Sequence, residues 1–402
     1  MKVAFVTVYP PCRGGIADYS AKLVAALGRA GAGDTRVDVY SLARDGVAQD
    51  GQRAVLSIGP RSWWRLRREL AAGRYDVVHL QFDLSTYLLL VGPLFAILAA
   101  LRLAGGPRIV ATYHDAYADR KLYGRLSVAF YNVFSRLFHR VYVHSRTAED
   151  CLVEQYHIPH AKIRRIDHGT FDFANRDRNH QELRSRWDLG ESPVVLSFGY
   201  IYRSKGIEVL IDALELLGDA GRPLPRVIVA GEPAERHGIF RLFQARNQRY
   251  LDGLKAQVRD AGLAEVVTFV GYVPSAELYS LFTLADVVVL PYLVVDQSGV
   301  LNIAIAAQTP VIASDIGGLG ETLADVGIVV APGSSAALAS ELHRVLASPD
   351  LRAGLHDAYG RLAERLSTDN VAAAMLEDYQ VMFGPRLMKA APARTRRRGG
   401  VR

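Results

Sequence analysis

The sequence predicts an α/β protein built from two doubly wound, mainly parallel sheets. Apolar, β-branched runs alternate with amphipathic helical patterns and short turns along most of the chain, which is typical of right-handed βαβ units. At 402 residues the chain is longer than one ordinary hydrophobic core supports, so it suits two domains. Half of the residues are apolar, which is enough to bury two sheets.

Twelve strands are predicted, six in each half of the chain. They lie near residues 2–8, 36–40, 75–80, 108–112, 140–144 and 163–167, and near 193–198, 226–230, 266–270, 286–290, 310–313 and 328–330. A polar stretch without apolar periodicity, residues 175–180, separates the two sets. The sequence therefore predicts an N-terminal domain over residues 1–178 and a C-terminal domain over 179–369, followed by an apolar helix over 370–384 and a basic tail over 385–402.

Three small-residue turns each join a strand to a helix. The first spans residues 9–15, the second runs from Gly199 to Gly206, and the third opens a helix at Ser298 and Gly299. Unpaired N–H groups and the positive end of the dipole make such a helix start a phosphate site. An ordinary helix with Ser298 as its N-cap residue is the alternative. Neither of the two commonest nucleotide motifs, G-x-x-x-x-G-K-[ST] and G-x-G-x-x-G, follows a strand.

An ordered set of short motifs covers the chain up to about residue 383. The set comprises YPPCRGGIADYS at 9–20, ATYHD at 111–115, VYVHS at 141–145, DHGTFD at 167–172, FGYIYRSKG at 198–206, VAGE at 229–232, FVGYVP at 269–274, ADVVVLPY at 285–292, SGVL at 298–301 and TPVIASDIGGLGE at 309–321. In this order they resemble glycosyltransferase family 4, a group of retaining, nucleotide-sugar-dependent enzymes. The resemblance implies the GT-B fold, two Rossmann-like domains that face a central cleft, with the last helix crossing back to the N-terminal domain.

The resemblance also implies how the cleft is used. The nucleotide diphosphate sugar is expected mainly on the C-terminal domain and the acceptor mainly on the N-terminal domain. The acceptor is a hydroxyl of a glycan, a lipid-linked glycan or a small molecule. A catalytically silent GT-B protein that binds a nucleotide or glycan as a partner stays open as the alternative function, and a GT-B epimerase or phosphorylase is a third.

Lys205 matches the phosphate-binding lysine of the family, and fixed cations stabilise the charge that develops on a departing diphosphate. Arg203 is a looser match, because the family's basic residue directly follows the glycine and Tyr200 stands there in this chain. A rim arginine paired with an acid is the other interpretation of Arg203. The remaining expected donor contacts come from Gly14, Gly15, Gly199, Ser298, Gly299, Val300 and Leu301, and the expected nucleotide contacts from Glu232, Tyr272 and Val273.

His114 follows a predicted strand and matches the family histidine beside the donor sugar. An imidazole can form a hydrogen bond with a sugar hydroxyl or with developing charge. The alternative is a structural histidine bonded to a loop carbonyl. Asp18 and Asp115 are weaker candidates for acceptor contact or proton acceptance, and each can equally be a cap or turn residue.

The chain departs from the family pattern around the third turn. The family often has two glutamates eight positions apart here, one near the donor sugar and one on the ribose. Val295 and Ile303 occupy these places, and Ile303 cannot accept a hydrogen bond from a ribose hydroxyl. Asp296 and Asn302 are adjacent in sequence, but the sequence leaves open where their side chains face.

We expect catalysis without a metal or any other cofactor. The sequence contains no Asp-x-Asp pair, and none of its eleven histidines lies in an H-E-x-x-H or Cys/His ligand pattern. The carboxylate pair that usually holds a metal-bridged nucleotide is therefore missing.

The basic character of the chain comes from its end. The net charge is +7, and the tail contains seven basic residues and no acid: Arg386, Lys389, Arg394, Arg396, Arg397, Arg398 and Arg402. The rest of the chain is neutral overall, which argues against nucleic acid as a partner. We expect a disordered tail, either without a specific role or with weak attraction to an anionic membrane.

Two further segments bear on membranes. Residues 84–101 carry no charge but contain Gly92-Pro93 near their middle, so we interpret them as the buried helix of a βα unit. Residues 63–68, WWRLRR, are either a surface helix with one packed face or an interfacial helix. With two cysteines and a strand-like N-terminus, a cytoplasmic protein is expected, and contact with the inner membrane face stays open.

Overall fold

A computed structural model describes residues 1–12, 14–31, 33–42, 52–56, 59–87, 90–173, 175–233 and 241–383. Within these residues the strands form two sheets in which every pair of neighbours is parallel. The strands of the first sheet are β1 (Lys2–Thr7), β2 (Arg36–Leu42), β3 (Gln52–Leu56), β4 (Val77–Phe82), β5 (Arg108–Tyr113), β6 (Arg140–Val143) and β7 (Ile163–Arg165). Their order is β3-β2-β1-β4-β5-β6-β7, so the chain winds outward in both directions from β1 and β4.

The second sheet repeats this winding. Its strands are β8 (Val194–Phe198), β9 (Arg226–Ala230), β10 (Val267–Gly271), β11 (Val287–Leu290), β12 (Val311–Ser314) and β13 (Ile328–Val330). Their order is β10-β9-β8-β11-β12-β13. The predicted fold class is confirmed, and all twelve predicted strands are present. The prediction missed β3, a five-residue edge strand with the sequence QRAVL.

Helices cover both faces of each sheet. In the N-terminal half they are α1 (Gly15–Ala30), α2 (Pro60–Ala72), α3 (Leu84–Tyr87), α4 (Val91–Leu103), α5 (Ala116–Tyr123), α6 (Arg125–Ser135) and α7 (Arg146–Asp150), the last continued by one π-helical turn. In the C-terminal half they are α8 (His180–Arg186), α9 (Ile207–Asp219), α10 (Arg241–Asp260), α11 (Leu278–Leu284), α12 (Gly299–Ala306), α13 (Gly317–Leu323), α14 (Ser335–Ala347), α15 (Pro349–Arg365) and α16 (Thr368–Phe383).

The uncharged segment at 84–101 is two helices rather than one. Pro93 lies in the first turn of α4, where backbone N–H groups have no partner inside the helix, so a proline is tolerated there. It therefore belongs to a helix start and not to a helix middle. The described part of the chain contains no helix long and apolar enough to cross a membrane.

Each sheet separates two apolar clusters. On β4 the alternate residues Val78, Leu80 and Phe82 join the cluster beneath α2, α4 and α6, whereas Val77 faces the cluster beneath α1 and α16. This alternation is the two-residue period of a strand buried on both faces.

Helix α16 packs on α1, although the two helices lie at opposite ends of the sequence. Its buried residues Val371, Ala372, Met375 and Tyr379 share one cluster with β1 and α1. Asp378 of α16 accepts hydrogen bonds from the Tyr142 hydroxyl at 2.8 Å and from the Arg140 guanidinium at 3.1 Å. The C-terminal helix is thus part of the N-terminal core.

Candidate functional site

The predicted site residues follow the carboxyl ends of strands in both sheets, where open α/β sheets bind their ligands. Lys205 ends a single 3-10 turn, Arg203–Lys205, between β8 and α9. Gly206 comes next with φ 61°, and a Cβ there would lie 2.1 Å from the Pro291 carbonyl oxygen. Only glycine therefore lets this turn pack against the loop after β11.

The ammonium of Lys205 lies in a desolvated place. Its Nζ is 3.6 Å from the centroid of the Tyr292 ring, a cation–π contact. Burial lowers the pKa of Lys205, while Tyr202 and the carboxyl group of Asp115 oppose that shift. A cation with few water contacts favours a bound anion, since such an anion replaces missing hydration. Arg203 of the same turn is exposed.

Helix α12 begins beside this lysine turn. The Ser298 hydroxyl oxygen accepts a hydrogen bond from the N–H of Leu301 at 3.3 Å and is buried. The Leu301 N–H, one of the expected phosphate contacts, is thus already used by the cap. The N–H groups of Gly299 and Val300 lie in the first helical turn and have no acceptor inside the helix.

Gly199 allows the turn after β8 to approach α12. A Cβ at Gly199, whose φ is 117°, would lie 3.3 Å from a methyl carbon of Val300. The three expected nucleotide contacts are on neighbouring loops. Glu232 is exposed and accepts a hydrogen bond from the N–H of Tyr272 at 3.3 Å, Tyr272 is exposed, and Val273 is buried. The backbone carbonyl of Glu232 accepts from the N–H of Ile201 at 3.0 Å, which joins this group to the β8 turn.

On the other side of the cleft, α1 begins at Gly15. Gly14 has φ 150°, and a side chain at either glycine would meet open space. Asp18 lies in the first turn of α1 and is exposed, and partial burial of its carboxyl group raises its pKa. The opening of α1 therefore leaves room for a ligand next to backbone N–H groups.

His114 is buried just after β5. Its Nε2 donates to the side-chain oxygen of Gln81 at 2.8 Å, and its ring centroid is 5.2 Å from that of Tyr19 and 5.4 Å from that of His144. Burial lowers the pKa of His114 to about 3, and His168 and His79 add to this shift. The ring is therefore neutral and acts through hydrogen bonds.

Three more histidines surround the same spot, and they form with His114 and Tyr19 what we call the histidine cluster. Its members are Tyr19, His79, His114, His144 and His168. His144 donates from Nδ1 to the Ile166 carbonyl at 2.9 Å, and its Nε2 is buried without a partner. Burial lowers the pKa values of His79, His144 and His168 to about 3. The histidine cluster is thus neutral and rich in ring nitrogens.

Asp115 lies between the histidine cluster and Lys205. Burial raises the pKa of Asp115 to about 7, with Asp83 and Asp119 adding to the rise and Lys205 opposing it. Among the predicted residues, Asp115 and Lys205 are a pair that interacts across the cleft. Asp115 also precedes α5, as the alternative interpretation of a cap or turn residue expected.

Two carboxylates of the C-terminal half bond helix starts of the N-terminal half. Asp296 accepts from the N–H of Tyr117 in α5 at 2.8 Å, and Glu321 of α13 accepts from the N–H groups of Arg146 and Thr147 in α7 at 2.6 and 2.7 Å. The Thr147 hydroxyl adds a bond to Glu321 at 2.8 Å. Negative charge at a helix N-terminus is favourable, which applies to Glu321. Burial raises the pKa of Asp296, so its bond to α5 is a hydrogen bond of a buried side chain. Both contacts join the two halves.

Contacts in the structure show where Asp296 and Asn302 face. These two residues adjoin Val295 and Ile303, which stand where the family has glutamates. Asp296 points to α5, while Asn302 bonds the ring of His168 at 2.7 Å. Val295 and Ile303 are buried in the core of the second sheet. Neither polar neighbour therefore substitutes for the expected ribose glutamate.

The sequence interpretation missed several buried residues that pack around His114, among them Tyr19, Gln81, His144 and His168. One signal was present, since His79 and Gln81 are polar residues at alternate positions of an otherwise apolar strand, VVHLQF. Buried polar side chains of this kind need partners. Within the described residues, no group of three or more His, Cys, Asp or Glu side chains is placed to hold a metal ion.

Comparison with known proteins matches both halves to glycosyltransferase families. The model of Glycosyltransferase Family 4 matches residues 13–170, and that of Glycosyl transferases group 1 matches residues 179–359. An alpha-D-kanosaminyltransferase of Streptomyces kanamyceticus is 28% identical over 210 residues, 51% of this chain and 50% of the relative. A 2-deoxystreptamine glucosyltransferase of the same organism also matches over 50% of its length, so the chain spans about half of these two relatives.

Longer matches exist as well. A GDP-mannose-dependent alpha-(1-6)-phosphatidylinositol monomannoside mannosyltransferase of Mycolicibacterium smegmatis is 27% identical over 85% of this chain and 88% of the relative. Among solved structures, sucrose-phosphate synthase from Thermosynechococcus elongatus superposes with a TM-score of 0.75 at 22% identity, over 95% of this chain and 99% of the other. The Anabaena protein HepE in complex with UDP-glucose has a TM-score of 0.72 at 18% identity, over 94% and 99%. These two likenesses show the shared fold.

Proposed function

This chain belongs to the family 4 glycosyltransferases with the GT-B fold, and we propose that it moves a hexosyl group from a nucleotide diphosphate sugar to an acceptor hydroxyl with retention of configuration. The observation that carries the proposal is the position of the half-buried Lys205 on the ring of Tyr292, which lies between the end of β11 and the start of α12. A cation and free N–H groups in one desolvated place are what a departing diphosphate requires.

The donor sugar then lies between this phosphate site and His114. The neutral ring of His114 offers a hydrogen bond to a sugar hydroxyl, and the transition state carries oxocarbenium-like positive charge. In a retaining transfer the acceptor hydroxyl attacks on the face from which the diphosphate leaves. Its proton passes to the departing phosphate oxygen, so that the new glycosidic bond forms as the bond from sugar to phosphate breaks.

The proposal also names the chemical class of the acceptor. Names of relatives mention a 2-deoxystreptamine, an inositol 3-phosphate and a phosphatidylinositol mannoside, all of which contain a cyclic polyol. We propose a hydroxyl-rich acceptor on the N-terminal side, and an acceptor panel begins with free and lipid-linked cyclic polyols. Lys22, whose Nζ is 3.0 Å from the Phe171 ring centroid, lies one helical turn from Asp18 on the same side.

The proposal is tested with a panel of UDP, GDP, dTDP and ADP sugars. One of them is expected to raise the melting temperature in proportion to ln(1 + [L]/Kd) and to be slowly hydrolysed to sugar and free diphosphate without an acceptor. Stabilisation without any hydrolysis or transfer would favour a catalytically silent binding partner. The buried Val295 and Ile303, which replace the family glutamates, motivate that second candidate. No response to any nucleotide sugar would contradict both.

A weak membrane contact is part of the proposal. Helix α2 buries Trp63 but exposes 61% of Trp64, and the guanidinium of Arg68 lies 4.9 Å from the Trp64 ring. The basic tail, 385–402, lies outside the described residues. Sedimentation with anionic vesicles at low salt is expected to fall on truncation after Gly384. Unchanged sedimentation would move the contact to α2 or to the apolar segment 84–101 and would favour a lipid-linked acceptor.

A further inference from the structure

A row of buried polar side chains runs along one face of the first sheet, from α16 to the cleft. His79 and Gln81 alternate on β4, and Thr112 is paired with Gln81 in register on the neighbouring β5. All three are fully buried in an otherwise apolar layer. His114 continues the same face two residues after Thr112. Buried polar groups that share a face must satisfy one another.

The hydrogen bonds of the row form a continuous chain. The side-chain oxygen of Gln81 lies 2.8 Å from Nε2 of His114, and its nitrogen lies 3.2 Å from Nε2 of His79. The Thr112 hydroxyl lies 2.7 Å from that same His79 nitrogen. On the far side, Nδ1 of His79 bonds the hydroxyl of Tyr379 in α16.

With the Gln81 amide oriented as it is in the structure, one protonation pattern satisfies its two bonds. The amide oxygen of Gln81 only accepts, so His114 donates from Nε2–H and its Nδ1 carries no proton. The amide nitrogen of Gln81 only donates, so Nε2 of His79 accepts and its proton lies on Nδ1, which donates to Tyr379. Reversing the Gln81 amide would reverse both rings and place the proton of His114 on Nδ1. One amide therefore determines which nitrogen of His114 is an acceptor.

We propose that Gln81 is the positioning residue of His114, held in turn by His79 and Tyr379, and that it presents Nδ1 of a neutral ring as a hydrogen-bond acceptor for a hydroxyl of the donor sugar. This inference rests on the proposed function for the identity of the ligand. It connects the C-terminal helix to the cleft, because α16 supplies the far end of the chain of bonds.

The surroundings of His114 suit a neutral ring. The titratable groups that face it are the imidazoles of His79, His144 and His168 and the phenol of Tyr19. The next residue in the chain is a carboxylic acid, Asp115, but its pKa is itself raised to about 7 and it interacts with Lys205. Burial therefore dominates at His114 and keeps its ring neutral. A neutral imidazole has one donor and one acceptor nitrogen, and Gln81 occupies the donor.

The first test is nitrogen-15 NMR of the imidazole rings, which reports the tautomer without any substrate. The native protein is expected to show His114 with its proton on Nε2. Gln81→Met is expected to produce a mixture of tautomers. A native His114 with its proton on Nδ1, or ring shifts unchanged in Gln81→Met, would overturn the proposal even if the protein proves to be an active glycosyltransferase. If Gln81→Met fails to fold, Tyr379→Phe is measured instead, with a smaller change in the same direction.

The second test is the pH profile of kcat/KM for hydrolysis of the donor sugar. Gln81→Met is expected to lower kcat/KM about tenfold at all pH values. Gln81→Glu still accepts from Nε2–H, but a carboxylate raises the pKa of His114, so the acidic limb is expected to move up by roughly one pH unit. A merely structural role would not move this limb.

The matched control is Ser135→Ala. It removes a buried hydrogen bond of 2.8 Å to the hydroxyl of Tyr113, the residue before His114, but lies outside the chain of bonds. Lower stability with an unchanged profile is expected for this variant. The same unchanged profile in Gln81→Glu would overturn the positioning role. Absence of hydrolysis in the native protein would contradict the proposed function instead and would leave the NMR result to decide the role of Gln81.

Discussion

The two walls of the cleft differ in their electrostatic properties. The C-terminal wall contains the half-buried Lys205 and the start of α12, both of which attract negative charge. The N-terminal wall is the histidine cluster, whose rings are kept neutral by burial. A nucleotide sugar has the same division, a charged diphosphate and an uncharged sugar. The comparison teaches that each wall matches one half of the proposed donor.

The largest expected effect is at the charged wall. Lys205→Ala is expected to lower turnover about a hundredfold or more, because one electrostatic stabiliser of the transition state is lost. Arg203→Ala is the matched control, since Arg203 is two residues away but exposed, and less than about a threefold loss is expected. Steady-state hydrolysis of the donor sugar measures both. Near-normal turnover in Lys205→Ala would contradict the assignment of the phosphate site to this wall.

The neutral state of the histidine cluster is tested by measuring stability at lower pH. The pKa of His144 is about 3 in the folded protein and about 6.5 unfolded, so its contribution to stability is complete above pH 6.5 and is lost as the pH falls toward 3. The raised pKa values of Asp115 and Asp119 act in the opposite direction. His144→Gln is therefore compared with the native protein, so that the carboxyl contributions cancel.

Between pH 7.5 and pH 5, the free energy of unfolding is expected to fall by about 2 kcal/mol less in His144→Gln than in the native protein. Urea unfolding at the two pH values measures the difference. His356→Gln is the control, because that side chain is exposed in the folded state. An equal loss in all three proteins would show that water or a counter-charge reaches the ring of His144.

A smaller effect is expected where the walls meet. Glu321→Ala removes three hydrogen bonds to the start of α7, and the arrangement in which both walls face one donor becomes less populated. A threefold to fivefold rise in KM for the donor, with little change in kcat, is expected by order of magnitude. Glu341→Ala is a suitable control, since Glu341 forms an ion pair with Arg344 of its own helix, α14. Equal KM values in the two variants would show that this contact does not help the two walls to face one donor.

The smallest expected effect is that of a chelator. The charged wall uses an ammonium and backbone N–H groups, and the sequence has no Asp-x-Asp pair for a metal-bridged diphosphate. Excess EDTA is therefore expected to leave donor hydrolysis nearly unchanged. If activity disappears and returns with Mg²⁺ or Mn²⁺, a set of ligands exists that we have not identified.

Sequence reasoning worked best where chemistry is local. Strand positions follow from runs of apolar residues, and glycines at Gly199 and Gly206 mark turns because their φ values are positive. Lys205 stands out through the resemblance of its motif, FGYIYRSKG, to the family pattern, in which a phosphate-binding lysine holds this position. Reasoning was weaker for Leu301, whose N–H is taken by Ser298, since a free and a capped helix start have the same sequence.

The sequence by itself determined the two α/β sheets and the turns at the strand ends, because backbone preference and apolar periodicity act over a few residues. Only the tertiary structure decided which side chains meet across large separations. It brought His79 of β4 to Tyr379 of α16, Asp296 to α5 and Glu321 to α7. These contacts depend on burial, since a polar group removed from water bonds whatever partner the packing of distant segments provides.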